Sequence, residues 1–108
     1  MGRSKYNNVP SICEGVKFHS RGEARRYREL LLLKASGEIQ NLNLQTKFPL
    51  EVNGKRVAYY IADFTYDENG YQVIEDFKGV STAIFRLKWK ILQAMFDPEA
   101  KIIFRISR

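Results

Sequence analysis

Asn53-Gly54, set between two runs of alternating apolar residues, constrains this chain more than any other feature. Asn-Gly is a favoured occupant of a two-residue hairpin turn, because both positions need a left-handed backbone that Asn tolerates and Gly adopts freely. The pair predicts that Lys47–Val52 and Arg56–Tyr66 are antiparallel neighbours. A second turn signal, Asp67-Glu68-Asn69-Gly70, folds Tyr71–Lys78 back on the previous strand, and Gly79 stops it. A three-strand meander therefore occupies the middle of the chain.

Helical patterns flank it. Ser20 is a good N-cap with Glu23 three residues on, a capping-box spacing, and a helix is expected to run to about Ser36. Ala24, Tyr27, Leu30, Leu31 and Lys34 follow its 3.6-residue period, with Arg21, Arg25 and Arg28 on a more polar side. Gly37 ends it. Ile39, Leu42 and Leu44 alternate irregularly with Asn and Gln, as expected of a connecting segment whose leucines plug the core. Ser81 or Thr82 caps a second helix through about Phe96, with Ile84, Leu87, Ile91 and Met95 as one stripe, widened by Phe85, Trp89 and Leu92. That helix is expected to be buried over more than half its circumference. Asp97-Pro98 closes it, and Lys101–Ile106 alternates as a last strand. A strand-helix-strand unit makes that strand parallel to the third. The fold class expected is α/β, a mixed four-stranded sheet flanked by helices. Residues 1–19 form a basic N-terminal arm in which Ser11–Phe18, broken at Glu14-Gly15, suits a short hairpin; residues 20–108 form the domain.

The 108 residues suffice for one core. No apolar run approaches the roughly 20 residues of a bilayer span. The N-terminus lacks a signal-peptide segment, so a cytoplasmic location and no membrane partner are expected. The lone Cys13 has no partner for a disulfide or a zinc site, and the lone His19 has no nucleophile assigned to it, which leaves no Ser-His-Asp or Cys-His machinery. A net charge of +6 favours an anionic polymer as partner.

Several acids nevertheless sit inside apolar strands. Asp76 and Lys78 are two apart and leave one face of an extended strand; Glu75 leaves the other. If Asp63, on the previous strand, lies opposite them, two carboxylates and an ammonium meet at one spot. Such a group suits a hard divalent cation beside a group that positions water.

The order αβββαβ, with Asp63 on the second strand and Asp76-Phe77-Lys78 on the third, resembles the PD-(D/E)xK nuclease superfamily, a restriction-endonuclease-like fold. The segments Lys5-Tyr6-Asn7-Asn8, Phe18-His19-Ser20-Arg21-Gly22-Glu23-Ala24, Arg26-Tyr27, Leu44-Gln45, Tyr60-Ile61-Ala62-Asp63-Phe64 and Glu75-Asp76-Phe77-Lys78-Gly79 are similar to a family of short phage and prophage proteins placed in that superfamily. Two departures are visible: His19 stands where relatives often carry Asp, and Ala62 where the superfamily has Pro.

The resemblance implies a Mg²⁺-dependent endonuclease hydrolysing DNA phosphodiester bonds, with Mn²⁺ as a substitute and no small-molecule cofactor. A domain this small has little surface for reading sequence, so structure-dependent or weakly sequence-specific cutting is expected, in phage recombination, replication or DNA processing inside a bacterial host cell. Asp63, Asp76 and the backbone carbonyl of Phe77 would ligate the metal, Glu23 would join through the metal or its water, and Lys78 would orient the attacking water. Arg21, Arg25, Gln45, Arg86, Lys88 and Lys90 are the candidate DNA contacts. A homodimer is expected by analogy.

Plainer readings stand beside these: Asp63 as a solvent-facing strand-end acid, Asp76 and Lys78 as a salt bridge, Glu23 as a helix cap. The cations of the second helix read equally as a solvated face, and Trp89, Tyr59, Tyr60 and Tyr66 as core. The competing class is a non-catalytic DNA-binding or assembly module on a nuclease fold.

Overall fold

Both Asn-Gly turns form as their chemistry requires: Asn53, Gly54, Asn69 and Gly70 all have positive φ. The computed structural model describes residues 11–13, 16–18 and 20–108, with side chains at 18 and from 20 onward. Met1–Asn8, the Glu14-Gly15 break and His19 lie outside the described residues. The elements are β1 (Ser11–Cys13), β2 (Val16–Phe18), α1 (Arg21–Ala35), β3 (Gln40–Val52), β4 (Lys55–Glu68), β5 (Tyr71–Phe77), α2 (Ala83–Met95) and β6 (Ile102–Ser107). β1 and β2 pair antiparallel, as expected of a short hairpin. The main sheet has the order β3-β4-β5-β6, antiparallel except for the parallel β5–β6 pair.

The sheet is covered on two faces. On β5, the adjacent residues Val73 and Ile74 enter different apolar clusters. Val73 packs with Ala24 and Leu30 of α1, Ile74 with Phe85, Trp89 and Leu92 of α2. Each fully buried Val, Leu, Ile or Phe side chain among these contributes about 1.5–3 kcal/mol. Among the described residues no helix is long and apolar enough to cross a membrane.

Two expectations need correction. The segment read as a connection before Lys47 is strand, because β3 begins at Gln40. Its irregular pattern reflects left-handed backbone at Asn41 and Gln45, with φ of 55° and 52°, inside an otherwise extended chain. The second concerns α2. Its buried residues are Phe85, Trp89 and Leu92, while Ile84 is 64 % exposed, Leu87 58 % and Met95 38 %. Only one side of α2 meets the sheet, and the aromatic residues occupy it, with Trp89 edge-on to Phe104 of β6. The stripe expected to lead the packing is mostly left in solvent.

One irregularity positions the site. Residues 60, 62, 64 and 66 of a regular strand share a face. Here Tyr60 and Ala62 pack in the α2 cluster, and Phe64 and Tyr66 in the α1 cluster. β3 does the same, with Leu42 and Leu44 on the α1 side and Phe48 and Leu50 on the α2 side. The ribbon thus turns over between Ala62 and Phe64 on one strand and at Gln45 on the other. Asp63 sits at that crossing.

Candidate functional site

The β4–β5 ladder runs from Glu68↔Tyr71 to Phe64↔Glu75 and goes no further. Beyond it β5 continues alone with β6, pairing Asp76 with Ile106 and Phe77 with Ser107. A backbone N–H left without a strand partner is costly when buried. Asp63 supplies the partner: Phe77 N–H donates to its Oδ2 at 2.9 Å, and Gln45 Nε2 reaches its Oδ1 at 3.4 Å. The acid at the crossing therefore caps the strand it has just left, and lies beside Asp76.

Asp76 is buried, and its Oδ2 has no hydrogen-bond partner among the described residues. Its other oxygen stands 3.8 Å from Lys78 Nζ, which also lies 4.3 Å from the centroid of the Phe85 ring at the start of α2. Burial pushes the Asp76 carboxyl up to about 6, against the downward pull of Lys78 and of the Asp63 backbone N–H.

Glu23 comes from α1. Ser20 Oγ accepts from Glu23 N–H at 3.2 Å, so the hydroxyl half of the capping box forms. The Glu23 carboxylate makes no return bond to Ser20 among the described residues. It is buried near Asp63, Asp76 and Lys78, and its pKa is raised to about 7, first by burial, then by the two acids, with Lys78 opposing. The turn of α1 that carries it lies close to β5: a Cβ at Gly22 would overlap the Phe77 ring.

The four residues singled out as catalytic thus share one neighbourhood. Ligand geometry is a narrower matter than a shared neighbourhood. No three His, Cys, Asp or Glu side chains close on one centre among the described residues. Asp63 is engaged with Phe77 N–H. The donor set nonetheless fits a hard cation: oxygen atoms only, two carboxyls raised by burial, and one buried oxygen left unpaired.

Of the candidate DNA contacts, Arg21 and Arg25 are exposed on the first turns of α1, and Gln45 bonds Asp63 directly. On α2, Arg86 and Lys90 are exposed and Lys88 is half-buried; Arg86 Nη1 donates to the Ser81 carbonyl at 2.9 Å. Tyr60, Tyr66 and Trp89 are core, whereas Tyr59 is not.

Glu75, on the opposite face of β5 from Asp76, reads from the sequence as structural and not a ligand; its partners are not legible there. Glu75, fully buried on the α1 side, accepts from Arg26 Nε (2.7 Å), Arg26 Nη2 (3.0 Å), Tyr66 Oη (2.5 Å) and Ser107 Oγ (2.7 Å). Burial alone would raise its pKa, but these bonds outweigh it and hold Glu75 below the usual carboxylate range. Burial and Glu75 push the Tyr66 hydroxyl up to about 12. Arg26 lies three residues after Glu23, on the same side of α1. The Arg26–Glu75 fork thus ties the Glu23 turn of α1 to the strand bearing Asp76. The one sequence signal was Glu75 within the apolar run of β5, with no partner in view.

This is a mixed α/β domain with an acid-and-lysine cluster where two strands part. The chain belongs to the family described as "Protein of unknown function (DUF1064)", which matches it over residues 3–107. No curated protein and no solved structure matches it.

Proposed function

We propose that this chain is a metal-dependent endonuclease with a restriction-endonuclease-like core, hydrolysing DNA phosphodiester bonds. The observation that carries the reading is the gathering of Glu23, Asp63, Asp76 and Lys78 at the splay of β4 and β5, with a buried, unpaired Asp76 Oδ2. Two carboxylates close enough to raise the pKa of a third, Glu23, are unfavourable unless positive charge offsets them. Lys78 offsets part of it; Asp63 and Asp76, with Glu23 and the Phe77 carbonyl, would hold a Mg²⁺ ion. When bound, that ion supplies charge at the phosphoryl oxygens and a more acidic water. Lys78 orients the attacking water and offsets charge on the scissile phosphate. Glu23, raised by burial and the two acids when no cation is bound, would be drawn to the ion directly or through its water. Arg21 and Arg25, exposed on the first turns of α1, would meet flanking phosphates. A homodimer would address two strands.

The alternative is a non-catalytic DNA-docking module on the same fold, with its basic residues but no cutting. A panel of plasmid, duplex, flap and four-way-junction DNA, incubated with Mg²⁺, Mn²⁺ or EDTA, separates the two. The nuclease reading predicts cation-dependent cutting that Asp76→Ala abolishes while DNA binding persists. Binding without cutting of any substrate would leave the docking module.

A further inference from the structure

Among the described residues, the outer half of the β3–β4 ribbon is covered by α2 on one face and open on the other. Along β4, Val57 (58 % exposed), Tyr59 (36 %) and Ile61 (52 %) alternate with Ala58, Tyr60 and Ala62, which pack toward α2. The open row is therefore apolar where a solvated strand face would be polar. Cations stand over it. Lys47, paired in register with Ile61, places Nζ 4.0 Å from the centroid of the Tyr59 ring. The Arg56 guanidinium lies 4.6 Å from the same centroid and hydrogen-bonds the Tyr59 hydroxyl. From Gln45 to Ile61 the chain carries Lys47, Lys55 and Arg56 against a single acid, Glu51. The row is continuous with the acid cluster: Tyr59 is four residues, about 13 Å of extended strand, from Asp63.

An aromatic and aliphatic row rimmed by cations matches an anionic polymer whose bases are free to leave the stack. A duplex presents phosphates outward and keeps its base faces inside, so it would leave Val57, Tyr59 and Ile61 without a partner. An unpaired strand offers both, phosphates to Lys47, Lys55 and Arg56 and base faces to the apolar row. We propose that this open face binds single-stranded DNA and leads it to the site at Asp63. The proposal deepens the nuclease reading and rests on it only for where the strand leads. A flap or fork, with an unpaired arm beside its duplex, is then the preferred substrate.

The test is equilibrium binding of a labelled oligo-dT, a blunt duplex and an oligo-rU of equal length, in EDTA so that nothing is cut. Tyr59→Ala is expected to weaken oligo-dT binding on the order of tenfold, the loss typical of one stacked base, while Tyr59→Phe keeps most of it. Lys47→Ala with Arg56→Ala should lower the log–log salt slope by about 1.4, or 0.7 per phosphate contact on a single strand. Tyr71, an exposed aromatic residue at the opposite end of β4–β5, supplies the control: Tyr71→Ala should bind as wild type does. Thermal melts and sedimentation confirm that each variant folds and report its oligomeric state.

Unchanged oligo-dT affinity in Tyr59→Ala overturns the proposal, as does an equal loss for blunt duplex. Tighter binding of oligo-rU than of oligo-dT removes the assignment to DNA. A dimer that Tyr59→Ala dissociates, with DNA binding intact, would make this face a self-interface. Binding through Tyr59 by a protein that cuts nothing sinks the nuclease reading alone; cutting indifferent to Tyr59 sinks this inference alone.

Discussion

Replacing Asp76 by Asn should stabilise this protein in the absence of divalent cations. The Asp76 carboxyl titrates at about 6 in the fold against an ordinary value of 3.8. Each pKa unit is worth about 1.4 kcal/mol, so the ionised Asp76 destabilises the native state by about 3 kcal/mol. The shift is already net of the help of Lys78, so a gain of about 2–3 kcal/mol is expected from Asn. The sign follows from proton counts. Between the unfolded and folded values the native state binds more protons, so stability contributed by this site is present below pH 3.8 and lost as pH rises through about 6. Urea unfolding in EDTA across that range is the assay. Asp76→Asn should exceed wild type near neutral or higher pH with an unchanged denaturant slope, and the gap should close in acid. Excess Mg²⁺ should narrow or reverse it, because a ligand held by the native wild type adds stability by mass action. A variant less stable than wild type at high pH, or a gap that ignores pH, would refute the reasoning.

Other expectations follow from the same geometry. Glu75→Gln should cost about 3 kcal/mol in urea unfolding, since it removes the anion that Arg26, Tyr66 and Ser107 surround. Because its folded pKa is depressed, the stability Glu75 contributes is present above its unfolded pKa and is lost as pH falls through the folded one. Gly22→Ala should destabilise by about 1–3 kcal/mol through displacement of the Phe77 ring, seen as a lowered Tm. Glu23→Gln should keep α1, whose cap uses the backbone N–H of residue 23, so its circular dichroism should match wild type while calorimetric Mg²⁺ affinity falls. On α2, Leu87→Gln should change stability by no more than about 0.5 kcal/mol, whereas Leu92→Ala should cost about 2–5 kcal/mol.

The parts of the fold legible in the sequence are those set by neighbours along the chain. Asn53-Gly54 and Asn69-Gly70 fix left-handed turns, and Ser20 and Thr82 cap their helices, because each depends on a few local atoms. The face reversal at Gln45 and Asp63 is not local. Leu42, Leu44, Phe48 and Leu50 keep one parity through it, so a period of two reads as one face although the structure uses two. On α2 the apolar stripe of Ile84 and Leu87 competes with Phe85, Trp89 and Leu92, and periodicity alone does not say which side meets the sheet. The shape of the β4–β5–β6 surface decides it.

The candidate site divides in the same way. Asp76 and Lys78 are legible because two residues on a strand share a face. Their approach to Glu23 depends on α1 docking at the end of β5, which Gly22 permits and the Arg26–Glu75 fork secures. That fork joins residues 49 apart in sequence, and nothing in the local pattern pairs them.

A crystal grown with Mn²⁺ and measured for anomalous scattering tests the nuclease account most directly. It predicts a peak between the carboxylates of Asp63 and Asp76, with Glu23 drawn toward it directly or through water. A map with no peak there, and the three carboxylates pointing apart under saturating Mn²⁺, would contradict it.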